Sequence, residues 1–170
     1  MTPGWPPAAS MPGWPPTAGA IPPALGHVGY VVTNADAAAQ ECLRLLGLSD
    51  LMVYDFSPLH AWVDGRELPE CRLRIAVGAM GNGVKVELVQ PVAGDTPHAR
   101  FLREKGPGPH HVAFYTKQFD EWLSFYRKLG AAIVFQAEVE DELIGYRRSF
   151  YAQTPEMPGL IEISEVPRRR

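Results

Sequence analysis

The sequence predicts an α+β fold in which two tandem βαβββ modules form one curved mixed sheet. The first observation is a repeated phrase, because residues 27–30 (HVGY) resemble residues 111–114 (HVAF). The second is spacing: the first phrase begins 20 residues before Gly47, and the second begins 19 residues before Gly130, each glycine marking a predicted helix end. Each phrase also leads to a later strand that carries a glutamate between aliphatic residues. Internal duplication of this kind predicts architecture more strongly than the propensities of single residues do.

The first module is predicted over residues 25–92. Residues 26–32 are rich in β-branched and aromatic side chains, which is typical of a buried strand. A helix follows at residues 37–46, with Thr33 and Asp36 as an N-cap pair and a glycine just after its end. Further strands are predicted between Ser-Pro, Asp-Gly and Gly-Asn-Gly breaks, at residues 51–56, 60–63, 71–77 and 84–90.

A connector at residues 93–108, with a short helix at residues 96–105, leads into the second module at residues 109–166. In that module a helix at residues 119–129 ends at Gly130, which is predicted to be its C-cap. The helix has an apolar face made of Trp122, Phe125, Tyr126 and Leu129. Strands are predicted before and after the helix, at residues 109–116, 132–137, 146–152 and 160–165.

The two ends of the chain differ in composition from the modules. Residues 1–24 contain the phrase Pro-Gly-Trp-Pro-Pro twice, at residues 3–7 and 12–16. Proline disfavours helices and sheet interiors, so we expect an extended arm rich in Pro, Gly and Trp. The arm is either disordered or lies along the domain or a partner subunit, because tryptophan rings are costly to leave in water. Residues 167–170 form a basic tail.

Composition and charge limit the possible classes of function. The chain has 170 residues, 46% of them hydrophobic, and no apolar run near the ~20 residues that a membrane-spanning helix needs. Its net charge of −3 provides no broad basic surface for nucleic acid. Prolines and glycines interrupt the segment where a signal peptide would need a continuous apolar core, which predicts a cytoplasmic location. Cys42 and Cys71 are predicted to be packing residues.

Two histidines at equivalent positions are candidate metal ligands. Side chains alternate along a strand, so His27 shares a face with Gly29, and His111 shares a face with Ala113. The small neighbours leave room on this face, which we expect to be the concave face of the sheet. His110 is expected to point to the opposite face and to act as a packed or supporting imidazole, because adjacent strand residues alternate.

Glu87 and Glu162 are the candidate carboxylate ligands, since each lies between aliphatic residues in the last strand of its module. A single carboxylate in a strand usually faces solvent. Two carboxylates and two histidines at repeated positions indicate a shared site instead. Imidazole nitrogens with carboxylate oxygens suit one divalent ion such as Zn, Co, Ni, Mn or Fe. The curved sheet is therefore predicted to surround a metal site.

The chain resembles the vicinal oxygen chelate superfamily, which includes glyoxalases, bleomycin-resistance proteins and dioxygenases. Within it, the chain is most similar to methylmalonyl-CoA epimerase and glyoxalase-I-like members. The resemblance covers roughly residues 26–165 and lies in four segments taken in order: 27–30, 86–91, 101–114 and 159–163. It implies paired βαβββ modules, a divalent metal, and ligand positions that fall on His27, Glu87, His111 and Glu162.

The resemblance implies a metal-dependent isomerase or epimerase that binds the carbonyl of a small molecule, such as an acyl-CoA or a 2-oxo acid, and stabilises an enolate. Glu162 and Glu87 are the predicted catalytic residues. Epimerases of the family also share a carboxylate on the strand that matches residues 71–77. In this chain the same strand carries arginines. The alternatives are a glyoxalase-type lyase, a ring-cleaving dioxygenase and a metal-free protein that binds or sequesters a small molecule.

Several residues outside the ligand set are candidates for binding substrate. Arg74 and Arg148, with Arg147 beside it, match the bidentate geometry of a substrate carboxylate. Trp62 and Tyr146 are candidates for lining a pocket for an aromatic or acyl group. The resemblance also implies a homodimer, although both modules of one site are present in a single chain.

Overall fold

The computed structural model describes residues 23–141 and 145–167. Most of the predicted N-terminal arm, residues 1–22, and the end of the basic tail, residues 168–170, lie outside the described residues. The described residues form three helices, α1 (Ala35–Leu46), α2 (Pro97–Lys105) and α3 (Phe119–Lys128). They also form ten strands: β1 (Ala24–Val31), β2 (Ser49–Phe56), β3 (His60–Val63), β4 (Arg66–Glu67), β5 (Arg72–Ala79), β6 (Lys85–Ala93), β7 (Gly108–Thr116), β8 (Ala132–Asp141), β9 (Gly145–Gln153) and β10 (Leu160–Glu165).

All ten strands belong to one mixed sheet, in the order β2-β5-β6-β1-β7-β10-β9-β8-β3-β4. The first module contributes β2-β5-β6-β1 and the second contributes the mirrored order β7-β10-β9-β8. Within each module the first strand is parallel to the last, and the two modules meet where β1 runs antiparallel to β7. The prediction of an α+β fold with two tandem βαβββ modules in a curved mixed sheet is confirmed.

Helices α1 and α3 cover the outer face of the sheet. From α1, Ala35 and Ala39 pack against a cluster that includes Leu88 of β6. From α3, Phe119 and Trp122 pack against a cluster that includes Phe150 and Ile163. Because side chains alternate, the residues next to these on β6, β9 and β10 point to the concave face. None of the helices in the described part of the chain is long and apolar enough to cross a membrane.

The β3–β4 hairpin differs from the sequence prediction. Residues 60–63 were predicted as a strand of the first module, but β3 pairs with β8, the edge strand of the second module. Its Ala61 and Val63 are buried with Phe135 and Tyr151 of that module. The hairpin thus extends the sheet beyond β8, and its buried cluster also includes Cys71 of the first module. Hydrophobic alternation identifies a strand, but it does not identify a distant partner strand.

Helix ends follow the predicted signals with small shifts. Helix α1 is capped by Asn34, not by the predicted Thr33, because the Asn34 side chain accepts a hydrogen bond of 2.8 Å from the Ala37 amide. Helix α3 has Leu129 as its C-cap, and the predicted Gly130 is the next residue, with a φ of +76° that glycine adopts readily. Cys42 and Cys71 lie in packed apolar clusters, as predicted.

Candidate metal centre

Strand register brings His27, Glu87, His111 and Glu162 together at the centre of the concave face. Gly29 of β1 lies between Glu87 of β6 and His111 of β7. In the next row, Ala113 of β7 lies between His27 of β1 and Glu162 of β10. Each small residue is therefore flanked by one histidine and one glutamate from neighbouring strands. This symmetry follows directly from the duplicated modules.

The space beside Gly29 is filled by His111. A Cβ atom at position 29 would lie 2.0 Å from Cε1 and 2.2 Å from Nε2 of the His111 ring. We expected the small residues to leave room, and at this position the room is taken by the imidazole of the opposite module. Gly29 is therefore the residue that allows His111 to reach the centre.

The four side chains have the spacing of a ligand set. His27 Nε2 lies 3.2 Å from His111 Nε2, 3.3 Å from a Glu87 oxygen and 3.4 Å from a Glu162 oxygen. His111 Nε2 lies 3.3 Å from each of the same two oxygens. Four donors bonded tetrahedrally to one ion at ~2.0–2.2 Å would stand about 3.3–3.6 Å apart. Two imidazoles and two carboxylates at this spacing fit a borderline divalent ion.

The electrostatics of the set also suit a cation at its middle. Burial opposes the charge on His27, but Glu87 and Glu162 outweigh burial and hold the His27 pKa well above its ordinary value. Burial likewise opposes the charge on Glu87, but His27 and His111 hold its pKa well below the usual range. The pKa of Glu162 is also lowered, because hydrogen bonding and charge from the histidines outweigh its burial. The two buried carboxylates thus need positive charge beside them.

An outer imidazole fixes the orientation of His111. His110 Nδ1 lies 3.0 Å from His111 Nδ1, and the Pro97 backbone also bonds to His110. Burial, and then His111, lower the pKa of His110 to about 3, so His110 is neutral and has one N–H. Pro97 can only accept, through its carbonyl, so that N–H points to Pro97. His111 Nδ1 then donates to His110, and His111 Nε2 keeps its lone pair for a metal.

The position of His110 corrects the expectation of strict alternation. Pairing between β1 and β7 shifts register between Gly29 and Tyr30, which face His111 and Pro109, so His110 lies in an irregularity of the strand. Both histidines are buried, and their rings touch. His110 is therefore on the inner side with His111 and not on the opposite face.

A second chain of hydrogen bonds reaches Glu162. The Tyr151 hydroxyl bonds to Glu162, and His98 Nε2 of α2 lies 3.1 Å from the same hydroxyl. Because a carboxylate only accepts, Tyr151 donates to Glu162 and accepts from His98. Burial, and then Glu162 and Glu87, hold the Tyr151 pKa well above its ordinary value, which keeps the phenol protonated. Tyr151 therefore restrains Glu162.

His27, the other histidine of the centre, is also supported by a hydrogen bond from outside the ligand set. His27 Nδ1 lies 3.3 Å from the Tyr115 hydroxyl. Tyr115 fits there because position 26 is glycine, where a Cβ atom would lie 2.5 Å from the tyrosine ring. A bond from His27 Nδ1–H to Tyr115 leaves the His27 Nε2 lone pair directed at the centre.

The centre lies in a cavity of about 270 Å³ between the two modules. His27, Glu87 and Glu162 line it, and its other polar lining residues include Tyr54, Arg147 and Ser149. The remaining walls are mainly apolar, from β2, β5 and β8: Met52, Phe56, Leu73, Ile75, Val77, Phe135 and Val139. A few convergent polar groups in an apolar cavity are typical of a small-molecule site.

Comparison with known families decides the assignment of the chain. The family model of the Glyoxalase/Bleomycin resistance protein/Dioxygenase superfamily matches residues 26–149. The chain belongs to this superfamily. The resemblance of the sequence to the vicinal oxygen chelate proteins is thereby confirmed. Members of the superfamily are known as glyoxalases, resistance proteins and dioxygenases, so membership alone leaves the reaction open.

Similar proteins include a relative in sequence and two solved structures. The chain is 30% identical over 99 residues to an uncharacterised protein, YqjC, of Bacillus subtilis, a match that covers 58% of this chain and 61% of that protein. Methylmalonyl-CoA epimerase from Mycobacterium tuberculosis has a similar structure, with a TM-score of 0.59, 23% identity, and coverage of 85% of this chain and 88% of the epimerase. A mutant of 4-hydroxymandelate synthase from Streptomyces coelicolor has a TM-score of 0.55 and 18% identity, with coverage of 87% of this chain and 50% of the synthase. At these identities the two structures show the fold.

The four residues predicted to bind substrate are not among the described residues that line the cavity. Arg74 points to the outer face, where it pairs with Asp36 and Asp55 at 3.0 Å each. Arg148 also points outward, to Asp120 at 2.9 Å and to the buried Glu165 at 3.0 Å. Trp62 and Tyr146 lie on β3 and β9, and the Trp62 ring stacks on His60 with centroids 5.7 Å apart.

Arg147 lines the cavity, whereas its neighbour Arg148 was the predicted substrate-binding residue. It shares a face of β9 with Ser149 and Tyr151, and Tyr151 pairs with Glu162 in the sheet register. Counting back along the strand from that pair identifies residue 147 as inward and residue 148 as outward. The signal was therefore present in the alternation, but it needed the register between β9 and β10.

Proposed function

We propose that the protein is a metal-dependent enzyme of isomerase or epimerase type, which removes a proton from the carbon next to a carbonyl of a small molecule. The proposal is carried by the buried set His27, Glu87, His111 and Glu162, whose donor atoms lie within 4.8 Å of one another. A divalent ion held by these residues would polarise the substrate carbonyl and stabilise the enolate that forms when the proton leaves. Membership of the superfamily supports such chemistry.

Glu87 and Glu162 are the proposed proton-transfer residues, because they are the carboxylates among the described residues that line the cavity. Tyr151 restrains Glu162 through a hydrogen bond. The described side-chain partners of Glu87 are His27 and His111, which lie at the centre itself. Glu87 is therefore freer to turn toward a substrate, and it is the better candidate for the base.

The cavity favours chemistry with a single base. Strand β5, which matches the strand that carries an opposing carboxylate in the epimerases, presents Leu73, Ile75 and Val77 to the cavity. Inversion of a carbon would need a further carboxylate on the β5 side of the cavity, and the described lining residues include no carboxylate besides Glu87 and Glu162. An isomerisation in which one carboxylate removes a proton and returns it to a neighbouring atom fits these residues better than a two-base epimerisation.

Exchange of substrate protons with solvent tests this proposal. In D₂O, the metal-loaded protein is expected to exchange the C3 protons of 2-oxobutyrate, or the C2 proton of methylmalonyl-CoA, faster than a chelator-treated sample, as followed by NMR. Glu87→Gln is expected to retain metal but to slow exchange by at least about 100-fold, because an amide oxygen can still bind a cation but cannot take a proton. Glu162→Gln is the matched variant and is expected to slow exchange less.

Metal-dependent oxygen consumption without proton exchange would contradict the isomerase proposal and would favour the dioxygenase alternative. Tight ligand binding without any dependence on metal would favour the metal-free binding protein.

A further inference from the structure

Arg147 occupies an unusual position for an arginine. Its side chain is half-buried and lines the same cavity as His27, Glu87 and Glu162. It lies on the inner face of β9, which also presents Ser149 and Tyr151. A guanidinium keeps its charge in such a place, so its environment must supply compensation.

The described carboxylates that act on the charge of Arg147 are Glu162 and Glu87, and both belong to the His27–Glu87–His111–Glu162 centre. Two other arginines pair with two carboxylates each at ion-pair distance: Arg74 with Asp36 and Asp55, and Arg100 with Asp64 and Asp95. Arg147 forms a hydrogen bond with the Tyr54 phenol, and among the described side chains no carboxylate lies within ion-pair distance of it. Burial and then Glu87 raise the pKa of Tyr54 to about 12, so the phenol is neutral.

Charge balance in the cavity gives the sign of the missing partner. The carboxylates of Glu87 and Glu162 would neutralise a divalent ion held between them. The charge of Arg147 then remains, because its nearby partner Tyr54 is neutral. A half-buried positive charge that is left without compensation favours an anionic ligand.

Distances limit the size of that ligand. Arg147 precedes Tyr151 by four residues, and Tyr151 faces Glu162 across the sheet, so the two ends of the cavity floor are about 13 Å apart along the backbone. An arginine side chain is long enough to cover part of this span. The cavity of about 270 Å³ is at the small end of ligand sites, so the group between Arg147 and the centre has only a few carbon atoms.

We propose that Arg147, with Tyr54, binds the carboxylate of a small carbonyl acid whose carbonyl lies at the His27–Glu87–His111–Glu162 centre. A guanidinium holds a carboxylate through two parallel hydrogen bonds, and the Tyr54 hydroxyl can donate a third. The substrate class is therefore a short acid of the 2-oxo type. This inference rests on the proposed function, because it needs the carbonyl to bind at the metal centre.

The test compares an acid with its uncharged ester. Binding of pyruvate and of methyl pyruvate to the zinc-loaded protein is measured by calorimetry, together with zinc affinity. Wild-type protein is expected to prefer the acid, and Arg147→Gln is expected to weaken pyruvate binding about 10- to 100-fold without weakening the binding of the ester or of zinc. Arg147→Lys keeps the charge but loses the fork, so a smaller loss is expected. Arg72→Gln, an exposed arginine on the outer side of β5, is the matched control.

The outcomes distinguish failure of the carboxylate site from failure of the metal centre. If wild-type protein binds zinc but does not distinguish acid from ester, or if Arg147→Gln leaves their ratio unchanged, the carboxylate site is overturned and the metal centre stands. If wild-type protein binds no divalent ion, the proposed function fails and the inference fails with it. Thermal unfolding of each variant shows that the comparison is made on folded protein.

Discussion

Replacing His111 with alanine is expected to abolish the binding of divalent ions. His111 Nε2 lies 3.2–3.3 Å from His27 Nε2 and from both carboxylates, so its removal opens one side of the ligand set. The loss of one of four protein ligands is expected to lower metal affinity by more than the 10- to 100-fold that loss of an outer support typically costs. Competition with a chromophoric chelator measures the affinity.

His110→Ala is the matched variant, because the two residues are adjacent and both are buried. His110 touches His111 Nδ1 and orients the ring, so its removal is expected to weaken metal binding by roughly 10- to 100-fold without abolishing it. If His110→Ala abolished binding while His111→Ala retained it, the wrong imidazole would have been assigned to the centre.

Gly29→Ala is expected to have a similarly large effect, although glycine offers no ligand atom. A methyl group at this position would lie 2.0–2.5 Å from three atoms of the His111 ring, so the ring must move away from the centre. We expect metal affinity to fall by at least about 100-fold and stability by about 1–3 kcal/mol. Chelator competition and thermal unfolding measure the two effects separately.

Gly81→Ala is the control for this substitution, because a Cβ atom at position 81 would meet no atom within 4 Å. It is expected to leave metal affinity unchanged. Wild-type affinity in Gly29→Ala would show that His111 can bind from another rotamer, and the proposed packing at Gly29 would then be wrong.

Sequence duplication was sufficient to predict the modules and to select the four central residues. Repetition works because equivalent strands occupy equivalent places in a paired sheet, so His27 and His111, like Glu87 and Glu162, are brought together by pseudo-symmetry. The structure adds the positions of the two small residues. Gly29 separates His111 from Glu87, and Ala113 separates His27 from Glu162.

Contacts that depend on distant register could not be predicted in the same way. The β3–β4 hairpin pairs with β8, which no local pattern specifies. On β5 and β9, both faces carry apolar residues, one set toward the helices and one toward the cavity, so alternation alone did not show which arginines point inward. Arg74 and Arg148 serve outer ion pairs, and Arg147 takes the inner position.

The most direct test of the central claim is the metal content of the purified protein. Protein prepared without chelator, and separately reconstituted with Zn, Co, Ni, Mn or Fe, is analysed by inductively coupled plasma mass spectrometry against protein concentration. A buried set of two histidines and two carboxylates predicts close to one divalent ion per chain for at least one metal, and the ion is expected to be lost in His111→Ala. The absence of a stoichiometric ion from every reconstituted sample of folded wild-type protein would show that these four residues do not form a metal centre.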